Sequence, residues 1–184
     1  MERLVGSRLV YEGKIIKLRV DTVSVDRPGG PVEATREVVE HAAAVVIVPV
    51  TSEGDVLLVR QHRWSTGETL LEAPAGGVED GESAETTAHR ELREETGHGA
   101  ERLFRLGGYW MAPGWATEYM HAFLATGLRP DPLPPDPDEA IEVVRVPWER
   151  LPGLVRGGQV RDAKSVAALL MAYYLNADQV TTPP

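Results

Sequence analysis

The sequence predicts an α/β protein in which a mixed β-sheet is sandwiched between helices. Three observations lead to this class. Several segments alternate apolar and polar residues as half-buried strands do, a polar helix is expected in mid-chain, and an apolar helix is expected near the end of the 184 residues. We expect an N-terminal strand region over 1–40 and a second domain over 41–178.

The first predicted elements are strands at 8–12 and 14–25. Apolar and polar residues mostly alternate along the second of these from Ile16 onward, which is the pattern of a half-buried strand. The run Arg27–Pro31 consists of proline and glycine after its arginine and predicts a turn. A further short strand is expected at 35–40.

The most apolar part of the chain follows. Residues 42–50 are apolar and largely β-branched on both faces, which predicts a central strand that is buried on both sides. Ser52–Asp55 predicts a hairpin turn, and 56–60 is expected to be the partner strand. Segment 61–82 is rich in turn residues.

The second half of the chain predicts more strands and an apolar helix. The strands are expected at 103–110, 118–126 and 141–147. Arg129–Asp138 contains five prolines and predicts a stiff, extended loop. Residues 163–175 are apolar nearly all round and predict a buried helix.

The mid-chain helix is expected at 83–96, with Ser83 as its N-cap and Gly97 as its stop. At about 100° per residue, Glu91 and Glu95 fall on or beside the face that packs on the sheet. That face also carries the small and apolar residues Ala84, Ala88 and Leu92. Two carboxylates spaced i and i+4 repel each other, and burial adds a desolvation penalty. A divalent cation removes both costs. The alternative is a solvated acidic helix with interleaved arginines.

Composition and charge exclude several classes of function. The chain has 19 Lys and Arg against 28 Asp and Glu, a net charge of −9, which argues against sequence-independent nucleic-acid binding. It has no cysteine, which excludes disulfides, Cys-ligated zinc and thiol nucleophiles. No targeting segment or membrane-spanning run is visible, so we expect a soluble, cytoplasmic protein with no membrane partner.

A spaced motif runs from Gly76 to Gly97: Gly, five residues, Glu82, seven residues, Arg-Glu-Leu, one residue, Glu-Glu, one residue, Gly. This stretch resembles the Nudix box, although His98 stands where the family usually has an aliphatic residue. The resemblance implies the Nudix α/β/α sandwich and hydrolysis dependent on Mg²⁺ or Mn²⁺. By analogy Gly76 permits the loop–helix turn, and Glu82 supports the site. The implied metal ligands are Glu91, Glu95, Glu94 and the Ala75 carbonyl, oriented by Arg90.

Residues outside the motif resemble the ADP-ribose pyrophosphatase branch of the family. Pro113 follows Gly97 by 16 residues, as a marker proline of that branch does. Val59–Arg63, Leu71–Gly76 and the C-terminal half are similar to the same enzymes. The resemblance implies hydrolysis of ADP-ribose to AMP and ribose 5-phosphate. The alternatives are another nucleoside diphosphate sugar, such as ADP-glucose or GDP-mannose, and a binding module that does not cleave its ligand.

The branch also suggests roles for individual side chains. Glu139, just after the proline-rich loop, is the candidate general base, and Glu142 is its alternative. Arginine suits phosphate binding and stacking on a base, so Arg63 and Arg36 are candidates for phosphate and adenine respectively. The remaining candidate substrate residues are Glu72, for ribose hydroxyls, Pro113 and Glu118. The N-terminal strands of this branch commonly exchange between subunits, which implies a homodimer.

Overall fold

The computed structural model describes residues 1–137 and 139–175; Asp138, at the end of the predicted loop, and 176–178 of the predicted domain lie outside them. The strands are β1 (Glu2–Glu12), β2 (Lys17–Val25), β3 (Val32–Glu40), β4 (Ala44–Pro49), β5 (Asp55–Arg63), β6 (Glu68–Glu72), β7 (Ala75–Gly77), β8 (His98–Trp110), β9 (Tyr119–Pro130) and β10 (Ile141–Pro147). The helices are α1 (Ala84–Thr96), α2 (Leu151–Arg156) and α3 (Ala163–Leu175), with a 3₁₀ turn at Trp148–Arg150 before α2. The chain divides into two compact units.

The first unit comprises Met1–Ala43 and Trp110–Tyr119. Its strands β1, β2 and β3 form an antiparallel sheet in that order. The alternation in the sequence produces β2, but β1 begins at Glu2 rather than at residue 8, and 14–16 lie between strands. Every residue of β1 is exposed in this chain. Its start was missed because a strand exposed on both faces carries no burial pattern.

The second unit comprises Ala44–Tyr109 and the chain from Met120 onward. Its four-stranded sheet has the order β7-β4-β9-β8. Strand β4 is buried along its whole length and pairs antiparallel with β7 and parallel with β9, which confirms the predicted central strand and the mixed sheet. The other sheet has the order β10-β5-β6, with antiparallel pairs.

Strand β5 is not the hairpin partner of β4, contrary to the sequence prediction. Only an isolated bridge joins Val50 to Val56 after the turn. Both edges of β4 are taken by β7 and β9, while β5 pairs with β10 and β6. A tight turn thus connects two sheets, and β4 and β5 pair with different strands.

Two strands and one helix were missing from the prediction. Strands β6 and β7 lie in the turn-rich segment, and β7, with the sequence Ala-Gly-Gly, has no strand propensity of its own. It is a strand because Ala44–Val46 of β4 pairs with it. The short helix α2 also escaped prediction. Strand β9 runs two residues into the predicted proline loop, to Pro130, where a strand end needs no backbone donor.

Helix α1 begins and ends where its sequence predicts. The Ser83 hydroxyl accepts a hydrogen bond from the Thr86 N–H at 3.1 Å. Gly97 has φ 72°, a left-handed conformation that favours glycine, and its N–H donates to the Arg93 carbonyl. The helix contributes to an apolar cluster of the sheet made of Val45, Ile47, Ala88, Leu92, Phe123 and Ala125.

Helix α3 is buried on one face rather than all round. Its buried residues are Ser165, Ala168, Leu169 and Ala172. Tyr174 and Leu175 are 65% and 70% exposed. No helix in the part of the chain that the structure describes has the length and apolarity that crossing a bilayer requires.

Candidate active site

The centre of the site is an acidic pair, Glu91 and Glu95, on the buried face of α1. Their exposed fractions are 8% and 6%, so the packed position predicted from the helical period is confirmed. Glu95 accepts a hydrogen bond from the Ala75 N–H at 3.2 Å. Strand β7 therefore lies directly against the acidic pair.

The acidic pair has too little positive charge around it for its burial. Burial raises the pKa of Glu91 to about 7, although Arg90 opposes the rise. Burial raises the pKa of Glu95 to about 8, and the negative charges of Glu91 and Glu139 add to the effect. The raised pKa values show that the negative charge of these two neighbouring carboxylates is poorly compensated. A bound cation would supply the missing positive charge.

Arg90 holds the carboxylates around the pair. Its guanidinium donates to Glu91 at 2.6 Å, to Glu94 at 2.9 Å and to Glu82 at 3.0 and 3.2 Å. The hydrogen bonds from Arg90 and from the Thr87 hydroxyl lower the pKa of Glu82 to about 2. The contacts with these acids raise the pKa of Arg90 itself. Arg90 thus orients Glu91 and Glu94, while Glu82 orients Arg90.

Gly76 serves a different purpose from the one the family resemblance implied. Its backbone does not have the positive φ that a glycine turn requires. A Cβ atom at position 76 would instead overlap the Glu91 carboxylate. At Gly77, by contrast, a Cβ would meet nothing within 4 Å. Glycine is required at 76 because a buried acid packs against the backbone there.

A second charged group lies on β5 and β6. Glu72 is 1% exposed, and both of its carboxylate oxygens accept hydrogen bonds from Arg63, at 3.0 and 2.8 Å. Lys164 of α3 also donates to Glu72. Although burial alone would raise the pKa of Glu72, these two cations hold it below its usual value. Glu72 is therefore buried in ion pairs here, and its contact with ribose hydroxyls stays a prediction.

Of the two candidate bases, the structure brings Glu139 to the site. The negative charge of Glu139 helps raise the pKa of both members of the acidic pair. Its carboxylate accepts a hydrogen bond from the Gln61 side chain at 3.2 Å. Glu142 instead pairs with Arg60 at 2.7 Å, and its side chain is 65% exposed.

Three predicted substrate residues belong to the first unit. Arg36 is ion-paired with Glu2, with Nη2 and Oε1 2.5 Å apart. Pro113 lies in the segment that joins β8 to β9. Glu118 ends that segment, with a carboxylate oxygen 4.0 Å from Nδ1 of His41. The acidic pair, Arg63, Glu72 and Glu139 all belong to the second unit.

The sequence assigned no role to Gln61, Asp162 or Lys164. The structure places Gln61 on Glu139 and Lys164 on Glu72. Asp162 accepts hydrogen bonds from the Lys164 ammonium at 2.9 Å and from the Ser165 N–H at 3.1 Å. The sequence feature that could have drawn attention to them is Lys164, which follows Asp162 closely and lies at the start of a mainly apolar helix.

Within 1–137 and 139–175, no three acidic or histidine side chains form a ready-made metal cluster. Arg90 occupies one oxygen of Glu91 and one of Glu94. The atoms that could bind a metal at this site are nevertheless carboxylate oxygens, which are the ligands that hard divalent cations prefer. The Ala75 N–H and the positive charge of Arg63 both favour the ionised form of Glu95, yet burial still raises its pKa to about 8. The residues therefore fit a cation of this kind.

The mixed sheet, the buried acidic pair on its helix and the arginines beside it define an α/β enzyme with a carboxylate-centred site. The NUDIX domain model matches residues 40–169. The chain belongs to the Nudix family, and the family and fold predicted from the sequence are confirmed. It is a Nudix hydrolase.

Proteins with similar sequences or structures include pyrophosphatases of two nucleoside diphosphate sugars. The chain is 38% identical over 170 residues to an ADP-ribose pyrophosphatase of Bacillus subtilis (strain 168), covering 91% of this chain and 90% of that protein. It is 30% identical over 157 residues to a GDP-mannose pyrophosphatase of Yersinia enterocolitica, covering 80% and 82%. A crystal structure described as an ADP compounds hydrolase superposes with a TM-score of 0.84 at 27% identity, covering 97% of this chain and 95% of that one.

Proposed function

We propose that this protein hydrolyses the pyrophosphate bond of ADP-ribose, producing AMP and ribose 5-phosphate. The observation that carries the proposal is the buried acidic pair, which is short of positive charge and lies beside Arg63. The similarity to the Bacillus subtilis enzyme over nine-tenths of both chains supports ADP-ribose as the substrate.

The proposal includes Mg²⁺ or Mn²⁺ at the acidic pair. Glu91 and Glu95 would hold the cation, with Glu94 and the Ala75 carbonyl as further ligands. When bound, the cation supplies positive charge for the substrate phosphates. Arg90 and Glu82 keep Glu91 and Glu94 in place, which reduces the reorganisation that binding requires.

The protein's own residues supply orientation and proton transfer. Arg63 donates to Glu72 through Nε and Nη2, so Nη1 remains for a phosphate oxygen of the substrate. Glu139 accepts the proton of the attacking water, and Gln61 holds its carboxylate in position. Hydrolysis needs such a base because neutral water is a weak nucleophile.

Arg36 remains the candidate for adenine, and Pro113 and Glu118 remain candidate substrate residues. Arg36 is paired with Glu2 in this chain. GDP-mannose is the second candidate substrate, because the Yersinia enterocolitica relative covers four-fifths of both chains. An assay that compares hydrolysis of ADP-ribose, which carries adenine, with hydrolysis of GDP-mannose, which carries guanine, distinguishes these two substrates.

We also propose a homodimer formed through the N-terminal strands. Strand β1 is exposed along its whole length and carries several large apolar side chains. They are Leu4, Val5, Leu9, Val10 and Tyr11. An apolar exposed edge strand of this length is prone to pair with another chain.

Sedimentation velocity will show a dimer, and L4E/L9E will shift it to monomer. A wild-type monomer at micromolar concentration would contradict the proposal.

The function is tested with purified protein and Mg²⁺ by chromatography of the products from ADP-ribose, ADP-glucose and GDP-mannose. We expect AMP from ADP-ribose at the highest kcat/KM. Glu95→Gln will lower that rate by at least about 100-fold, because the acidic pair loses one charge. Glu85→Gln, at an exposed acid of the same helix, is the matched control. Preference for GDP-mannose would overturn the substrate, and an active Glu95→Gln protein would overturn the site.

A further inference from the structure

The start of α3 is fixed to the strand connection that leads into the active site. The Ser165 hydroxyl accepts a hydrogen bond from the Ala73 N–H at 2.7 Å, and both groups are buried. The Tyr109 hydroxyl donates to the Lys164 carbonyl at 2.8 Å. Two residues past Ala73, the Ala75 N–H donates to Glu95. The connection from β6 to β7 is thus held by α3 at one end and by α1 at the other.

Four side chains of alternating charge run from this helix start toward the acidic pair. Asp162 accepts from Lys164, Lys164 donates to Glu72, and Glu72 accepts from Arg63. The hydrogen bonds to Glu72, and then the charges of Glu95 and Glu139, raise the pKa of Arg63. Arg63 is therefore the end of the series that faces the acidic groups of the site.

Lys164 changes how much positive charge Arg63 presents. Glu72 by itself would neutralise Arg63, since the two are bonded through both carboxylate oxygens. Lys164 provides a second cation for the same buried carboxylate. Asp162 in turn balances Lys164, but it is one contact further from Arg63, and Coulomb interaction weakens with distance.

Arg63 also has a hydrogen-bond donor that Glu72 does not use. Its hydrogen bonds to Glu72 use Nε and Nη2, and Nη1 makes no hydrogen bond within residues 1–137 and 139–175. A guanidinium held rigidly on one edge, with its remaining donor open, is well arranged for a phosphate oxygen. Holding it there requires that Glu72 stay fixed, and Lys164 is the second group that fixes it.

We propose that Lys164 is a positioning residue for binding of the substrate's pyrophosphate. It shares the charge of Glu72 and fixes that carboxylate, so that Arg63 keeps its orientation and its positive field. Lys164 does not itself contact the substrate. The inference rests on the proposed function for the identity of the ligand, and it concerns the β6–α3 contact rather than the metal ligands.

A purely structural brace is the competing explanation, and Ser165 allows the two to be distinguished. Ser165 is the next residue of α3 and contacts the same connection, but within residues 1–137 and 139–175 its hydroxyl bonds to the Ala73 backbone and not to the side chains of Glu72 or Arg63. Loss of the Ser165 hydroxyl leaves the buried Ala73 N–H unpaired and lowers stability. If bracing were all that mattered, Ser165→Ala and Lys164→Met would affect substrate binding alike.

The experiment measures KM and kcat for ADP-ribose with Mg²⁺, and the Kd of the non-cleavable α,β-methylene analogue by calorimetry. We expect Lys164→Met to raise KM and Kd about tenfold, with kcat changed less than about threefold, as for loss of one charge-assisted phosphate contact. Lys164→Arg keeps the charge and should restore KM. Ser165→Ala should melt at a lower temperature with wild-type KM.

A double-mutant cycle with Arg63→Gln completes the test. Lys164→Met should raise Kd no further in the Arg63→Gln background, because the lysine acts through the arginine. An additive effect, an unchanged Kd in Lys164→Met, or an equal rise in Ser165→Ala would overturn the proposal. If Lys164→Met does not fold, Lys164→Gln takes its place in the cycle. AMP release by the wild type tests the proposed function separately, since the Kd ratios require no turnover.

Discussion

The stability of the metal-free protein should fall as the pH rises through neutrality, because Glu95 is buried. Burial raises the pKa of Glu95 from 4.5 to about 8, so at pH 7 the folded chain keeps a proton that the unfolded chain releases. The contribution of Glu95 to stability is complete below the unfolded pKa and is lost as the pH rises toward the folded pKa. At about 1.4 kcal/mol per pH unit, the loss by pH 7 is about 3 kcal/mol.

The assay is urea unfolding in EDTA at several values between pH 5.5 and 8. The free energy of unfolding of the wild type should fall over this interval. Glu95→Gln should fall less steeply and should be the more stable protein at pH 7.5, because a neutral amide replaces the buried acid. Glu91 keeps some slope in this variant, since burial raises its pKa to about 7.

The control is again Glu85→Gln, which should retain the wild-type slope. Mg²⁺ or Mn²⁺ should stabilise the wild type more at pH 8 than at pH 6, because cations bind the ionised carboxylates. Glu95→Gln should gain much less from either metal. Equal slopes for the wild type and Glu95→Gln would refute the argument that burial of Glu95 controls the pH dependence.

Three further predictions follow from single contacts. Gly76→Ala should lower kcat/KM by at least about 100-fold, because its Cβ displaces a member of the acidic pair, whereas Gly77→Ala should remain near wild type in the same assay. Ser83→Ala should lower the free energy of unfolding by about 1 kcal/mol in urea titrations through loss of the N-cap, and unchanged stability would contradict that role. Glu139→Gln should reduce kcat by about 100-fold or more while Glu142→Gln stays within about threefold, and the reverse ranking would move the base to Glu142.

Much of the fold could be predicted from local pattern. The strand at β4, the limits of α1 and the packed position of the acidic pair depend on periodicity and capping, which neighbouring residues determine. Strand β7 could not be predicted, because Ala-Gly-Gly becomes a strand only through pairing with β4. The separation of β4 and β5 into different sheets also depends on which partners reach their edges.

The candidate site also contains some residues that local sequence predicts and others that depend on distant contacts. The sequence predicted roles for Glu91, Glu95, Arg90 and Glu82, since these residues belong to one helix and the loop before it. The buried contact of Glu72 with Lys164 joins positions 92 residues apart, and no local spacing indicates it. The contact of Gln61 with Glu139 spans 78 residues.

The sequence alone therefore determined the family, the central strand and the acidic helix, because each depends on residues close together in the chain. The tertiary structure decided which acid lies near the acidic pair, and it showed that Glu72 is buried in ion pairs. It also explained Gly76 by the approach of Glu91 rather than by a turn. These features depend on burial and on charges from distant segments, which only the folded chain brings together.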